Sequence, residues 1–328
     1  MVKRTIAAAV MCLLAGAAWA QEETPAPAAD TEQVLIVGQR PGPGLWKVSK
    51  GDHVLYVLGD YAPLPIKMDW RSSEVEAILA KSQEFLLKPE LGVSVGFWGG
   101  LKMLPFVIGF KNNPDGGKLV DVLPAETYDR WLVLKSKYIG KSNDIERERP
   151  MFVAETLYSK GLEKNGLTMH TGVYAKLDKL ARQYKIKTTS SDLDMELENP
   201  SQTLKAFKNS AGTDIACFAR TVEHLEVDID AMRARANAWA VGDMSKIASL
   251  DFADREEACK DAVLNNEAFK SKLQNVTATL QKNWVANAER ALEANSTTFA
   301  VLSLHQILNP KGPVAELVAK GYKVEAPE

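Results

Sequence analysis

The sequence predicts an α/β fold of the α+β type, in which helices flank a core made by a mixed β-sheet. Short apolar runs, partly β-branched or aromatic and bounded by turn residues, alternate with longer segments of helical periodicity. Strand-like runs also stand at both ends of the globular part, with most of the helical segments between them. A chain of 328 residues, 46% of them hydrophobic and 25% charged, can bury the core that such a domain needs.

The chain begins with a segment that is typical of an export signal. Residues 1–20 combine a basic start, an apolar stretch and the small residues Ala18 and Ala20. We therefore predict a Gram-negative type of signal peptide, cleavage after Ala20, and a periplasmic or secreted protein. The apolar stretch is shorter than the roughly 20 residues that a membrane span needs. No transmembrane span is expected after cleavage.

The segment that follows the signal is rich in proline, alanine and acidic residues. This composition predicts that residues 21–44 form a disordered linker that includes a short strand. Residues 45–328 are then predicted to form a single domain. The formal net charge of the chain is −2, and no basic stripe occurs, so nucleic acid is not an expected partner.

Six short runs inside the domain are candidate strands because of their residue types and flanking turns. They are residues 53–59, 84–88, 118–123, 184–189, 298–304 and 322–326. Longer periodic segments predict helices. These are residues 72–82, 125–138, 150–163, 173–184 and 276–293. The clearest periodicity predicts one continuous helix over 215–239, with apolar residues at spacings of three and four.

Residues 90–110 form an apolar, glycine-rich segment that also contains Lys102 and Pro105. The composition argues against a transmembrane helix. Two interpretations remain, a buried insert or an exposed flap that binds an unknown protein or peptide partner.

Two cysteines remain after the predicted cleavage, Cys217 and Cys259. An oxidising compartment would allow them to form a disulfide bond, and two separate buried thiols are the alternative.

Three residues attract attention as candidates for chemistry. Residues 92–96 fit the G-x-S-x-G pattern of a hydrolase nucleophile around Ser94, but Pro89 before it and a glycine-rich segment after it do not suit the required strand and helix. His305 follows a predicted strand, where α/β folds place functional sites. Asp60 follows another predicted strand and could hold a metal or a proton, although a turn-capping aspartate is the simpler interpretation.

Both ends of the domain resemble TraB/GumN-type proteins. "GLWKVSKGDHVLYVLGDYAPLP" resembles their opening, and "NWVANAERALEANSTTFAVLSLHQILNPKGPVAELVAKGYKVE" resembles their close. Between them, "ANAWAVGDMSKIASL" is similar to a helix end with the pattern W-x-x-G-D. The resemblance covers about residues 45–326 and implies a TraB-domain fold similar to Tiki-like and erythromycin-esterase-like proteins.

The resemblance also implies a site in active members, which are considered metal-dependent peptidases with two G-x-x-H turns and a glutamate. Carried over to this chain, the first histidine is Ala62, the glutamate falls near Lys88, and the second turn keeps His305 without its glycine. The family's arginine has no clear match, and Lys282 is nearest. Lost ligands and an added cation disfavour a divalent metal.

We therefore expect a divergent family member, a pseudoenzyme without cofactor that acts as a periplasmic binding or accessory protein. The alternative is a metal-dependent, peptidase-like hydrolase with His305 and Asp60 as catalytic residues. Its metal, Mn, Co or Zn, would be held by His305 with Asp60 or Glu90.

Overall fold

The computed structural model describes residues 42–68, 70–95, 109–197, 199–209, 214–249, 258–259, 270–273 and 275–327. Ten strands lie in this part of the chain. They are β1 (Leu45–Lys50), β2 (His53–Asp60), β3 (Leu64–Pro65), β4 (Glu84–Leu86), β5 (Leu91–Ser94), β6 (Leu167–Thr168), β7 (Lys187–Thr189), β8 (Leu193–Glu196), β9 (Thr297–Ser303) and β10 (Lys323–Glu325).

Six of these strands form a mixed sheet in the order β10-β1-β2-β9-β4-β7. Strand β1 is antiparallel to both of its neighbours, β10 and β2, whereas β2, β9, β4 and β7 run parallel to one another. The carboxyl ends of these four parallel strands therefore share one edge of the sheet, which we call the carboxyl edge. Two smaller sheets pair β3 with β6 and β5 with β8.

Thirteen α-helices lie in the residues that the structure describes. They are α1 (Ser73–Lys81), α2 (Leu119–Val122), α3 (Ala125–Leu134), α4 (Pro150–Lys164), α5 (Val173–Gln183), α6 (Pro200–Asn209), α7 (Asp214–Val227), α8 (Ile229–Ala240), α9 (Met244–Ser249), α10 (Lys270–Leu273), α11 (Val276–Ala294), α12 (Leu304–Leu308) and α13 (Pro313–Ala319). Residues Pro114–Gly116 and Asp144–Arg147 form 3-10 turns, and Lys135–Ile139 is π-helical.

The buried apolar residues form two clusters. The first surrounds the six-stranded sheet and includes Leu55, Phe85, Phe299 and Trp284. The second lies among α2, α3, α4 and α7 and includes Trp131. The predicted α/β fold with a mixed sheet between helices is confirmed.

Five of the six predicted strands overlap an observed strand, and one prediction is wrong. Residues 118–123 form α2 instead of a strand. The Lys118 backbone N–H donates to the Asp121 carboxylate over 2.9 Å, a contact that closes a first helical turn. Leu119 is fully buried while Val120 is exposed, so the segment buries only one side of this turn. Strands β1, β3, β5, β6 and β8 were not among the six predicted runs.

The predicted helix 215–239 is interrupted, and this is a second correction. Asp228, with φ −107° and ψ −1°, is the N-cap residue of α8 and separates it from α7. Aspartate is a weak former of helix interiors because its side chain competes for backbone groups. Phe218 on α7 and Met232 early on α8 belong to the second cluster, whereas Trp239 later on α8 belongs to the first. The change of core therefore lies within α8.

The disulfide bond between Cys217 and Cys259 is present. It joins α7 to the described residues 258–259 across a sequence separation of 42. In the residues that the structure describes, no helix has the length and apolar character of a membrane span. The predicted signal peptide 1–20, most of the linker 21–44 and the central part of the 90–110 flap, residues 96–108, lie outside the described residues.

Candidate functional site

The carboxyl edge gathers most of the residues that the sequence singles out. Asp60 ends β2, and Ala62 follows it two residues later. Lys88 follows β4, and His305 follows β9 as the second residue of α12. The register places Asp60 beside Ser303, the last residue of β9. Parallel strands commonly present functional side chains at such an edge.

An ion pair crosses this edge. The Lys88 Nζ lies 3.0 Å from the Asp60 Oδ2. Because β9 lies between β2 and β4, the two side chains start on opposite sides of β9, on strands about 10 Å apart. The lysine side chain thus reaches across the end of β9. The side chains are 32% exposed for Lys88 and 15% for Asp60, so the pair is partly withdrawn from water.

His305 follows the end of β9, at the same edge of the sheet as this pair. Its side chain is exposed on α12. The turn that carries it begins with a capping box. The Ser303 Oγ accepts a hydrogen bond from the Gln306 backbone N–H over 3.2 Å, and the Gln306 Oε1 accepts one from the Ser303 backbone N–H over 3.1 Å. This reciprocal pair starts the helix directly at the end of β9. It explains how the turn forms without the glycine of the family pattern.

Glu90 takes part in a different local structure. Its backbone N–H donates to the Asp192 Oδ1 over 2.8 Å, and its carbonyl accepts from the Leu193 backbone N–H over 3.1 Å. The Glu90 side chain is exposed. The described part of the chain includes Asp60, Glu90 and His305, and within it no three His, Cys, Asp or Glu side chains form a group that could hold a metal ion.

The residues at the carboxyl edge do not fit a divalent cation. A metal site would need the Asp60 carboxylate free of its ammonium partner, and Lys88 would bring a second positive charge to the metal. Ala62 contributes a methyl group where the family resemblance implies a histidine. Lys282, the position nearest the family's arginine, is exposed on α11. The assignment of His305 and Asp60 as catalytic residues stays a prediction.

A buried tryptophan fixes the end of β2. The Trp239 Nε1–H donates to the Gly59 carbonyl over 2.6 Å, and Trp239 is fully buried. Gly59 is required for close packing, because an added Cβ would lie 2.9 Å from Leu304 and 3.1 Å from Trp46. Trp239 belongs to the W-x-x-G-D pattern, and this contact gives that pattern a structural role beside the site.

One helical turn earlier, Arg235 contacts the residue after Asp60. Its Nε–H donates to the Tyr61 hydroxyl over 3.3 Å, and both side chains are buried. Burial raises the pKa of Tyr61, while the nearby Arg235 charge and its hydrogen bond act in the opposite direction. The α8 helix therefore holds residues 59–61 through two polar contacts. The sequence pattern identified Trp239 but gave no sign of Arg235 and Tyr61 as partners.

Ser94 does not occupy a nucleophile elbow. It is the last residue of β5, where it pairs in register with Glu196 of β8. This two-stranded sheet is separate from the six-stranded sheet, whose strand β9 leads to His305. The sequence also gave no sign that Lys88 would meet Asp60, since the contact depends on two strands that flank β9.

The comparisons with known proteins give one match. A model of the TraB/PrgY/gumN family matches residues 44–326, which is nearly the whole chain. No curated protein and no solved structure matches the chain.

Proposed function

The chain belongs to the TraB/PrgY/gumN family, and from this premise we propose that it is an exported member without the peptidase metal site. In this proposal it acts as a periplasmic binding or accessory protein. The observation that carries the proposal is the ion pair between Lys88 and Asp60, with 3.0 Å between the charged atoms. The Lys88 ammonium is paired with the Asp60 carboxylate, which a metal would need as a ligand.

The physical reason is a competition for one carboxylate. A metal that bound Asp60 would have to displace the Lys88 ammonium and leave it beside a divalent charge. In a partly buried site, the repulsion between the lysine ammonium and the divalent cation is weakly screened and opposes metal binding. The missing imidazole at Ala62 removes a ligand as well. In this proposal the fold serves to bind another molecule.

Elemental analysis of the purified protein tests this proposal. The protein would be supplied with manganese, cobalt or zinc and then dialysed, beside the variant Ala62→His/Lys88→Glu. We expect much less than one ion per wild-type chain, and a gain of bound metal in the variant because both family ligands are restored.

The variant His305→Ala supplies the opposing outcome. About one divalent ion per wild-type chain that is lost in His305→Ala would overturn the proposal. It would favour the metal-dependent hydrolase that uses His305 with Asp60 or Glu90.

Export has its own support and test. The basic start, apolar stretch and small residues of positions 1–20 support a cleaved signal peptide. Expression of the full chain in a Gram-negative host should release a protein that begins at Gln21 into the periplasmic fraction. Retention of an uncleaved chain in the cytoplasm would contradict export.

A further inference from the structure

The small sheet of β5 and β8 continues two strands of the main sheet. The β4 chain leads into β5 through residues 87–90, and the β7 chain leads into β8 through residues 190–192. The Leu87 backbone N–H still donates to the Thr189 carbonyl over 2.9 Å, so the two chains stay side by side between the sheets. We call this pair the β5–β8 ribbon.

The strand order of the main sheet orients the two edges of this ribbon. In the main sheet β4 has β7 on one side and β9 on the other. Since β8 continues the β7 chain, it covers the corresponding side of β5. Among the residues that the structure describes, no strand pairs with the opposite side of β5, which we call the free edge; by continuity with β4 it lies on the β9 side. A strand added there would run past the end of β9, where His305 and the ion pair lie.

The register of β5 and β8 determines which backbone groups point to that free edge. The Leu193 N–H donates to the Glu90 carbonyl over 3.1 Å, and the Leu197 N–H donates to the Ser94 carbonyl over 3.0 Å. Residues 90, 92 and 94 therefore turn their backbone groups toward β8. Because these groups alternate along a strand, those of Leu91 and Val93 point to the free edge. Val93 is 54% exposed.

The two faces of the ribbon differ in chemistry. Register partners share a face, and Gly92 with Asp194 and Ser94 with Glu196 are such partners. Exposed carboxylates follow this face from just before β5 to the end of β8: Glu90, Asp192, Asp194 and Glu196. Among the residues that the structure describes, none of these four has an ion-pair partner within 4.0 Å. The opposite face carries apolar residues, including Val93 and Met195.

The negative charge of this region also acts on a neighbouring side chain. Burial, followed by the charges of Glu90 and Asp178, raises the pKa of Tyr174 to about 12. Lys88, the cation nearest in sequence to β5, is already paired with Asp60.

We propose that the free edge of β5 binds an extended peptide segment in which lysine or arginine alternates with apolar residues. The backbone of the segment would pair with Leu91 and Val93 as an added strand. Its cations would lie on the carboxylate face of the ribbon and its apolar residues on the side of Val93. This inference rests on the proposed binding role and names its ligand class.

Two requirements distinguish such a ligand. It must be able to form a strand, because the free edge offers backbone donors and acceptors, and it must be basic, because the ribbon face is acidic. An acidic segment would face four like charges, and a folded basic surface could not reach the backbone groups of the edge. The proposal therefore excludes both.

Binding of labelled synthetic peptides by the purified protein tests the inference. The probe is a peptide of about nine residues that alternates lysine and valine. One control alternates glutamate and valine, and another has the probe's charge with prolines that prevent strand pairing. We expect the probe to bind at least about tenfold more tightly than either control and to weaken as salt is raised.

A matched pair of variants locates the contact. Val93→Pro removes the outward N–H without removing a bond to β8, and proline is tolerated on edge strands. Val93→Thr keeps the N–H and the branched shape. We expect Val93→Pro to weaken probe binding by about tenfold or more, and Val93→Thr to leave it within about twofold. Equal thermal unfolding of the two variants serves as the folding control.

Three results would overturn the inference. The first is equal binding of the proline-containing peptide, and the second is binding that Val93→Pro leaves unchanged. The third is a dimer in sedimentation that Val93→Pro abolishes, which would assign the edge to a second copy of the chain. The proposed function is tested independently of peptide binding, by the metal content of the purified protein. The intact mass of the probe after incubation shows whether the protein cleaves the probe.

Discussion

At the scale of single residues, the hydrogen bond from Trp239 to the Gly59 carbonyl can be assessed by comparison with a second buried tryptophan, Trp284. Trp239 and Trp284 are both fully buried. The Trp239 Nε1–H donates to Gly59 over 2.6 Å, whereas the Trp284 Nε1–H has no hydrogen-bond partner among the described residues. The two side chains therefore lose the same volume on change to phenylalanine but differ in polar contact.

Trp239→Phe is expected to lower the free energy of unfolding by more than Trp284→Phe. The smaller ring costs about 1–2 kcal/mol at either position. Trp239→Phe also leaves the buried Gly59 carbonyl without its donor, a further cost of about 1–3 kcal/mol. Urea unfolding of both variants measures the difference. Equal losses would show that the hydrogen bond does not hold the end of β2.

Residue identities could be predicted from the sequence better than residue contacts. The replacement of the family's histidine by Ala62 and of its glutamate by Lys88 can be seen by aligning motifs. The 3.0 Å contact of Lys88 with Asp60 could not, because it depends on the order of β2, β9 and β4 in the sheet. That order joins segments about 240 residues apart in the chain, and no local pattern encodes it.

At the scale of elements, a charged network ties β4 to its neighbours at the end opposite the carboxyl edge. The Glu84 carboxylate is buried and accepts hydrogen bonds from Arg290 over 2.6 Å and from Asn295 over 3.0 Å. Thr189 of β7 donates to the same carboxylate. The network thus joins β4, β7 and the end of α11.

Stability should depend on Glu84 at acidic pH. Burial alone would raise its pKa, but the hydrogen bonds from Arg290, Thr189 and Asn295 lower it from 4.5 to about 2. Because the pKa is lower in the folded protein, the unfolded chain takes up the proton at a higher pH than the folded protein does. The contribution of Glu84 is therefore complete above pH 4.5 and is lost as the pH falls toward 2.

Unfolding by urea as a function of pH checks this linkage. Glu84→Gln should be less stable than the wild type at pH 7 by about 2–3 kcal/mol, since it loses charge-assisted hydrogen bonds. Between pH 4.5 and 2 the gap between the two proteins should close. A gap that stays constant over this range would contradict the lowered pKa.

Elements with strong local signals could be predicted, and those decided by neighbours could not. The strand over β2 and the helix over α11 have clear periodicity and appear as predicted. The turn of α2 reads as a strand because Leu119, Val120 and Val122 are apolar, yet the Asp121 contact and its packing against the second cluster make it helical. Strands of two to four residues, such as β3 and β8, carry too few positions for a periodic signal.

At the scale of the whole molecule, covalent and ionic links hold the second cluster. The disulfide between Cys217 and Cys259 starts from α7 within this cluster. A buried pair joins the start of α4 to the start of α7, with the Arg149 Nε 2.7 Å and the Arg149 Nη2 2.9 Å from the two oxygens of Asp214. The α/β class and the cysteine pair could be predicted from the sequence, whereas the division into two cores could not.

Removal of the disulfide should destabilise the protein. The variant Cys217→Ala/Cys259→Ala opens a loop with a sequence separation of 42. In the chain-entropy model such a link contributes up to about 4 kcal/mol. Urea unfolding of the variant and of the oxidised and reduced wild type measures the effect. Two free thiols by mass spectrometry in protein from an oxidising compartment would contradict the bond.

The most direct test of the central claim is a crystal structure of the wild-type protein grown with Mn²⁺, with the metal located by anomalous scattering. We expect no manganese peak at the carboxyl edge, and we expect the Lys88 Nζ to lie at hydrogen-bond distance, about 3.0 Å, from the Asp60 carboxylate. A manganese ion bound by Asp60 and His305, with Lys88 turned away, would contradict it.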